Sequence, residues 1–189
     1  MSITINGNGT ITGYTPASVA DGGITAAKLA TGVGGKILQV VEHEFNDQTQ
    51  STSTSYVDLT GSSKALTLSN SSNKVLIQAS IYVRHYRLYS GNGVGLRIQK
   101  TVGGSTSDLY DPVQSGAMFF HDTSQMSNHD FAGMQSIQVL DTPGNTAVTY
   151  KLQGKCQVNA NSGQWTVNKE RNSTASVSKI IFMEIAVWV

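Results

Sequence analysis

Val148-Thr149-Tyr150-Lys151-Leu152-Gln153-Gly154-Lys155-Cys156-Gln157-Val158 alternates without a break. Val148, Tyr150, Leu152, Gly154, Cys156 and Val158 point one way, and Thr149, Lys151, Gln153, Lys155 and Gln157 the other. A period of two is the mark of an extended strand with one buried face. Cys156, on the apolar side, reads as a small core side chain. The pattern recurs in Val75, Ile77, Ala79, Ile81 and Val83, set against Gln78, Ser80, Tyr82 and Arg84. It recurs again in Val94, Leu96 and Ile98, set against Arg97 and Gln99. Shorter candidates are Ile37 to Phe45, Tyr56 to Leu59, Ala65 to Leu68, Ala117 to Phe120, Met134 to Leu140 and Gln164 to Asn168. Turn-forming clusters separate them, such as Gly61-Ser62-Ser63 and Asp141-Thr142-Pro143-Gly144-Asn145. Many short antiparallel strands joined in this way predict an all-β chain, an antiparallel sandwich of jelly-roll type.

Composition agrees. Among 189 residues, 19 are Gly and the polar character comes from Ser, Thr, Asn and Gln, which suits turn-rich β structure over long helices. Charged residues are 13% and the net charge is +1, too little field to hold nucleic acid or an anionic membrane surface. With one cysteine, neither an intrachain disulfide nor a cysteine zinc cluster can form. The longest apolar stretch, near Ile180 to Val189, is too short to span a bilayer as a helix, and no basic start precedes a long apolar run. The expectation is a soluble chain made in the cytoplasm, with no cofactor, no nucleic acid and no membrane insertion.

Residues 1–35 read differently from residues 36–189. Isolated apolar positions such as Ile3, Ile5, Ile11, Ile24 and Leu29 are punctuated by Asn-Gly, Gly-Thr and Gly-Gly pairs, so this stretch cannot bury enough to fold alone. Within it Asp21 is placed to cap a short helix through Ile24 to Ala30, ended by Gly32 and Gly34-Gly35. The reading is an extended arm with one short helix, then a hinge, then the sandwich.

The last strand wants burial on both faces: Ile181, Met183, Ile185, Val187 and Val189 line one, and Ile180, Phe182, Ala186 and Trp188 the other, with Glu184 the lone charge. Either the sandwich centre or a subunit interface must cover Ile181, Met183, Ile185, Val187 and Trp188.

The run from Gly23 through Ile24-Thr25-Ala26-Ala27-Lys28-Leu29 and Gly34-Gly35-Lys36 to Ile37-Leu38-Gln39-Val40-Val41 resembles the linker and first strand of tail-fibre-like virion proteins of bacteriophages, those of cyanobacterial phages included. Ser51 to Leu59, Asn73-Lys74-Val75-Leu76-Ile77 and Ile180 to Ile185 are similar to the same proteins in order and spacing. The resemblance covers most of residues 20–189, with Arg84 to Phe131 departing from it. It implies a homotrimeric β-sandwich in the virion, assembled in the host cytoplasm. It also implies an arm attached to other virion proteins, and variable loops that carry any binding to a host surface glycan or protein.

Two constellations stand out in the departing region. Arg84-His85-Tyr86-Arg87-Leu88-Tyr89 sets guanidinium groups and phenols before the Gly91-Asn92-Gly93 turn, chemistry that suits sugar or protein contacts at an outward loop. On the alternative reading, Tyr82, Arg84 and Tyr86 pack across the outer face of a long strand or between subunits. His121-Asp122 and His129-Asp130 could together offer two imidazoles and two carboxylates to a divalent metal, but their spacing does not match a helical two-His face, so His121 and His129 are grouped with the outward loops of Tyr110 to Phe131. Gly32-Val33-Gly34-Gly35-Lys36 lacks the Ser or Thr of a phosphate loop after its lysine and reads as a hinge. No Gly-x-Ser-x-Gly elbow is present, and Glu42 and Glu44 share a strand face near lysine, reading as surface residues. A non-enzymatic fibre component is therefore expected. Its rivals are a capsid decoration protein and a carbohydrate-binding module.

Overall fold

The computed structural model describes residues 4–5, 11–12, 36–87, 93–110, 118–119, 129–156, 164–169 and 176–187, with side chains within 36–85, 94–109, 130–156, 164–169 and 176–187. The chain divides into two compact units, residues 1–35 with 188–189, and residues 36–187. In the first, β1 (Thr4–Ile5) pairs antiparallel with β2 (Ile11–Thr12), Ile5 opposite Ile11. The short helix over Ile24 to Ala30, with Ile3, Ile24, Leu29 and Trp188, falls outside the described residues.

The second unit holds β3 (Ile37–Phe45), β4 (Thr49–Ser51), β5 (Val57–Asp58), β6 (Lys64–Thr67), β7 (Lys74–Arg87), β8 (Gly93–Val102) and β9 (Ser105–Tyr110). These are followed by β10 (Met118–Phe119), β11 (His129–Asp141), β12 (Ala147–Cys156), β13 (Gln164–Val167) and β14 (Ser178–Ile185). They form two antiparallel sheets, and no helix occurs among the described residues. In the first sheet β7 is the spine. Along one side it pairs with β11 from Val75 to Arg87; along the other it pairs with β14 over Lys74 to Ser80 and with β13 over Val83 to Tyr86. Outside these, β3 pairs with β14 and β4 with β13. In the second sheet β8 and β12 lie at the centre, flanked by β9 and β10 on one side and by β5 and β6 on the other.

The period of two decides what faces inward. Val75, Ile77, Ala79, Ile81 and Val83 of β7, with Ile180 and Phe182 of β14, are buried, as are Val94, Leu96, Ile98, Val148, Tyr150, Leu152 and Cys156 of the other sheet. Each large aliphatic side chain buried here contributes about 1.5–3 kcal/mol relative to exposure. The Tyr150 and Phe182 rings stack with centroids 5.5 Å apart. Gly154 occupies an inward position because Trp165 fills the space: a Cβ there would stand 2.7 Å from Trp165 Cη2.

β13 and β14 are two parts of one lane beside β7, and the interruption between them is sealed by polar side chains. Asn168, at φ 58°, donates its backbone N–H to Tyr82 O (3.1 Å) and its Nδ2 to Phe45 O (2.9 Å). Its Oδ1 accepts from Ser178 Oγ (2.6 Å), and that hydroxyl in turn accepts from Tyr82 N (2.9 Å). Asparagine tolerates the left-handed conformation better than other non-glycine residues, and its amide supplies the donors and acceptor that the broken ladder lacks.

The long strands read from the sequence are β7, β8 and β12, with Gln157 and Val158 of the last falling outside the described residues, and the sandwich is present. β4 and β9 have no counterpart in the hydrophobic pattern, because Thr49-Gln50-Ser51 and Ser105-Thr106-Ser107-Asp108 carry no alternation. A correction concerns His129, Asp130 and Phe131, expected in an outward loop: they begin β11, held in register by Arg87, Tyr86 and His85 of β7.

Candidate functional site

The strand directions give the 36–187 unit two unlike ends. At one, Lys36 O accepts from Ala186 N at 2.7 Å, so the first residue of the unit and its next to last are hydrogen-bonded neighbours. The tight β8–β9 hairpin, with Gly103 and Gly104 at φ 56° and 83°, lies at this end, as does the β11–β12 turn. At the opposite end lie the last residue of β7, the first of β8, all of β10, the first of β11, the last of β12 and the first of β13, while β9 ends at Tyr110, opposite Ile98 midway along β8. The segments 88–92, 120–128 and 157–163 each join two of these strand ends, and 111–117 joins β9 to β10.

Most of the sequence-singled residues belong to that second end. Arg84 to Arg87 form the last turn of the pleat of β7, and His129 stands opposite Arg87 on the neighbouring strand. Two stretches more than 40 residues apart are thereby brought side by side. Arg84 binds Asp130 bidentately, Nε to Oδ1 at 2.5 Å and Nη2 to Oδ2 at 2.6 Å, with both side chains mostly shielded from solvent. This outer-face packing across the strand is the alternative reading of Arg84. A guanidinium fork matched to a carboxylate holds the two strand ends in a fixed geometry. His85 is a correction: it is 4% exposed, on the inward face with Ile81 and Val83, and does not belong to an outward loop. Tyr86, Arg87 and His129 are placed by backbone only, and Tyr89 and His121 fall outside the described residues.

Behind this end, Trp165 stands opposite His85 in the β13–β7 ladder and packs on Gly154 of the other sheet. Thr166 and Val167 continue the buried run, so the support beneath the far strand ends is a packed core. Trp165 and Asn168 are the residues that sequence reasoning did not single out. The one signal that points to Trp165 is the glycine standing where the alternation of β12 calls for a larger apolar residue.

Two carboxylates hold the end at which Lys36 and Ala186 meet. Asp141, from β11, accepts from Lys100 Nζ (2.7 Å) and Tyr150 OH (2.9 Å), both on the other sheet, and so ties the layers together. Burial, then the charge of Asp141 and its hydrogen bond, push the Tyr150 phenol far above its ordinary range. Glu184, 3% exposed, accepts from Ser69 N and Oγ (both 2.7 Å), Asn73 Nδ2 (2.6 Å) and Gln39 Nε2 (2.7 Å). Burial alone would raise its pKa; the donors from Asn73, Ser69 and Gln39 outweigh that and hold it below the usual value.

The outer faces of the two sheets differ. On the second, Arg97 lies over the Tyr56 ring (4.0 Å) and binds Asp108 and Gln153 (both 2.7 Å), while Lys151 and Gln153 bind Asp58. On the first, Lys179 pairs with Glu42 and Glu44, and Ile181, Met183 and Ile185 are half-buried beside them. β14 is thus an inner lane of its sheet. Its Ile180 and Phe182 enter the core, and the face carrying Ile181, Met183 and Ile185, with Val187 just beyond, looks outward.

No protein-family model matches the chain, and no curated protein matches it. Among solved structures, it is similar to the crystal structure of the infectious bursal disease virus VP2 subviral particle, at 12% identity and a TM-score of 0.35. That match covers 79% of this chain and 38% of the other, so the chain spans well under half the length of that neighbour. The sandwich assignment rests on the strand pairing given above.

Proposed function

We propose that the chain is a non-enzymatic structural protein of a bacteriophage particle, a homotrimeric fibre-type component that presents its far strand ends outward. The observation that carries this reading is the polarity of the 36–187 unit. The residue that joins the unit to the 35 residues before it sits at one end, and at the other lie the strand ends that the segments 88–92, 120–128 and 157–163 connect. A sandwich so arranged suits a protein tethered through one terminus and contacting a surface with the opposite pole. The resemblance of residues 20–189 to tail-fibre-like proteins supports the same assignment, with residues 1–35 as the segment that meets other virion proteins. A host glycan or protein is then the partner at the far end.

The test is co-sedimentation of purified chain with the virus particle that carries it, combined with adsorption of reconstituted particles to host cells. Removing residues 1–35 is expected to abolish co-sedimentation. Replacing residues 120–128 with a Gly-Ser linker is expected to leave co-sedimentation intact and reduce adsorption at least tenfold. Adsorption unchanged by that replacement, with the particle imaged to show the chain lying flat on the capsid, would refute the fibre reading in favour of a decoration protein.

A further inference from the structure

The outer face of the first sheet carries an apolar row that crosses all four lanes in register. Val40 of β3 stands opposite Met183 of β14, Met183 opposite Leu76 of β7, and Leu76 opposite Leu140 of β11. The row is three strand spacings wide, about 14 Å. Toward the end where Lys36 and Ala186 meet it is extended by Ile185 and Ile37, which oppose each other, with Leu38 in the bulge beside them. Toward the other end it gives way within one pleat to Glu42, Ile181, Gln78 and Gln138, and then to Glu44, Lys179, Ser80 and Ser136. Val40 is 60% exposed, Ile37 54%, Leu140 53%, Leu38 46% and Val187 37%.

Strand propensity does not explain this. An outer sheet face in water alternates to polar residues, and the second sheet does so with Arg97, Gln99, Thr149, Lys151 and Gln153. Over the far half the first sheet is mostly polar, with Met134 (55% exposed) opposite Tyr82 as an isolated apolar position; over this half the apolar residues are contiguous. The exposed and half-buried apolar groups together present on the order of 500 Å² of contiguous surface, near the top of the range for a monomer and more than half of the roughly 800 Å² each partner contributes to a standard interface. Along its far border Lys179 bridges Glu42 (3.1 Å) and Glu44 (2.8 Å), and at its near edge Lys74 stands opposite Ile185, with a stem long enough to keep its ammonium in water.

We infer that this row is the surface through which copies of the chain associate, each copy covering the apolar half of another's first sheet. The inference rests on the oligomeric part of the proposed function and names the face that builds the oligomer. Another copy fits better than a peptide, because the row crosses four hydrogen-bonded strands of one sheet, a width that matches a second sheet.

Light scattering on the full-length chain tests it, first for wild type and then for Val40→Glu combined with Leu140→Glu. Both side chains point away from the core, so the variant is expected to keep its cooperative melting and run as a monomer where wild type is an oligomer. Should the double variant fail to fold, Val40→Thr, which preserves volume, is expected to raise the dissociation constant at least tenfold with near-ultraviolet dichroism of the fold retained. A folded double variant that keeps the wild-type mass would overturn the choice of face while leaving the oligomeric reading standing. A wild-type monomer at micromolar concentration would overturn both, without touching the assignment of the far end to adsorption.

Discussion

Replacing Gly154 by alanine probes the packing that supports the far end of the sandwich. The added methyl would lie 2.7 Å from Trp165 Cη2, 3.0 Å from Cζ3 and 3.1 Å from Cζ2. Carbon pairs are comfortable at about 3.5–4.0 Å, so the indole must retreat by about 1 Å. Trp165 is fully buried and close-packed, and overpacking of this kind costs about 1–3 kcal/mol. For a unit of this size each kcal/mol lowers the melting temperature by about 2–4 °C, which gives an expected drop of about 2–12 °C. Thermal unfolding followed by far-ultraviolet dichroism measures it. The partner variant Trp165→Phe removes the distal ring atoms that make the clash, so adding Gly154→Ala to it is expected to cost about 1 kcal/mol less than in wild type. A melting temperature for Gly154→Ala within about 1 °C of wild type, or simple additivity in the double variant, would refute the account of Gly154 as the slot for Trp165.

Glu184→Gln places an amide N–H₂ where the carboxylate now accepts from Ser69, Asn73 and Gln39, and is expected to cost about 1–3 kcal/mol in urea unfolding. Because the folded-state pKa of Glu184 is held below its ordinary value of 4.5, its contribution is fully present above pH 4.5 and is lost as pH falls through the lower folded value. Stability of the Gln variant is expected to decline less steeply in that acid range. Asn168→Ala loses the side-chain bonds to Phe45, Asp47 and Ser178 and sets a Cβ-bearing residue without compensating polar groups at φ 58°, at an expected cost of about 2–4 kcal/mol. Asn168→Gly should recover only the backbone part of that loss, and full recovery would show that the amide does not seal the lane.

Much of the architecture can be read from alternation, and the misreadings have physical reasons. Continuing the inward series Val75, Ile77, Ala79, Ile81, Val83 by two places His85 in the core, where the structure has it; grouping it with its charged and aromatic neighbours places it in a loop. The period outweighs the neighbourhood because one strand cannot turn a side chain to the other face without a bulge. β11 was legible from Met134 onward, but His129-Asp130-Phe131-Ala132-Gly133 has no clean alternation and is extended because β7 supplies a ladder for it. The Arg84–Asp130 fork joins residues 46 apart in sequence, and only the antiparallel pairing of β7 with β11 brings them together. The apolar last strand left two readings open, and its two faces divide between them: Ile180 and Phe182 are core, and Ile181, Met183 and Ile185 face outward on the sheet surface.

The position of Lys36 beside Ala186 also settles how the molecule would carry a mechanical load. β3 starts at that end and runs along the flank of β14 toward the other pole. A pull applied through residue 36 and resisted at the far strand ends acts along the length of β3, so its backbone hydrogen bonds to β14 bear the tension side by side and must slide together to fail. A pull directed across the sheet would instead open that ladder one rung at a time. Under the proposed function, with one pole anchored and the other on a surface, drag on the particle would load the sandwich in its resistant direction.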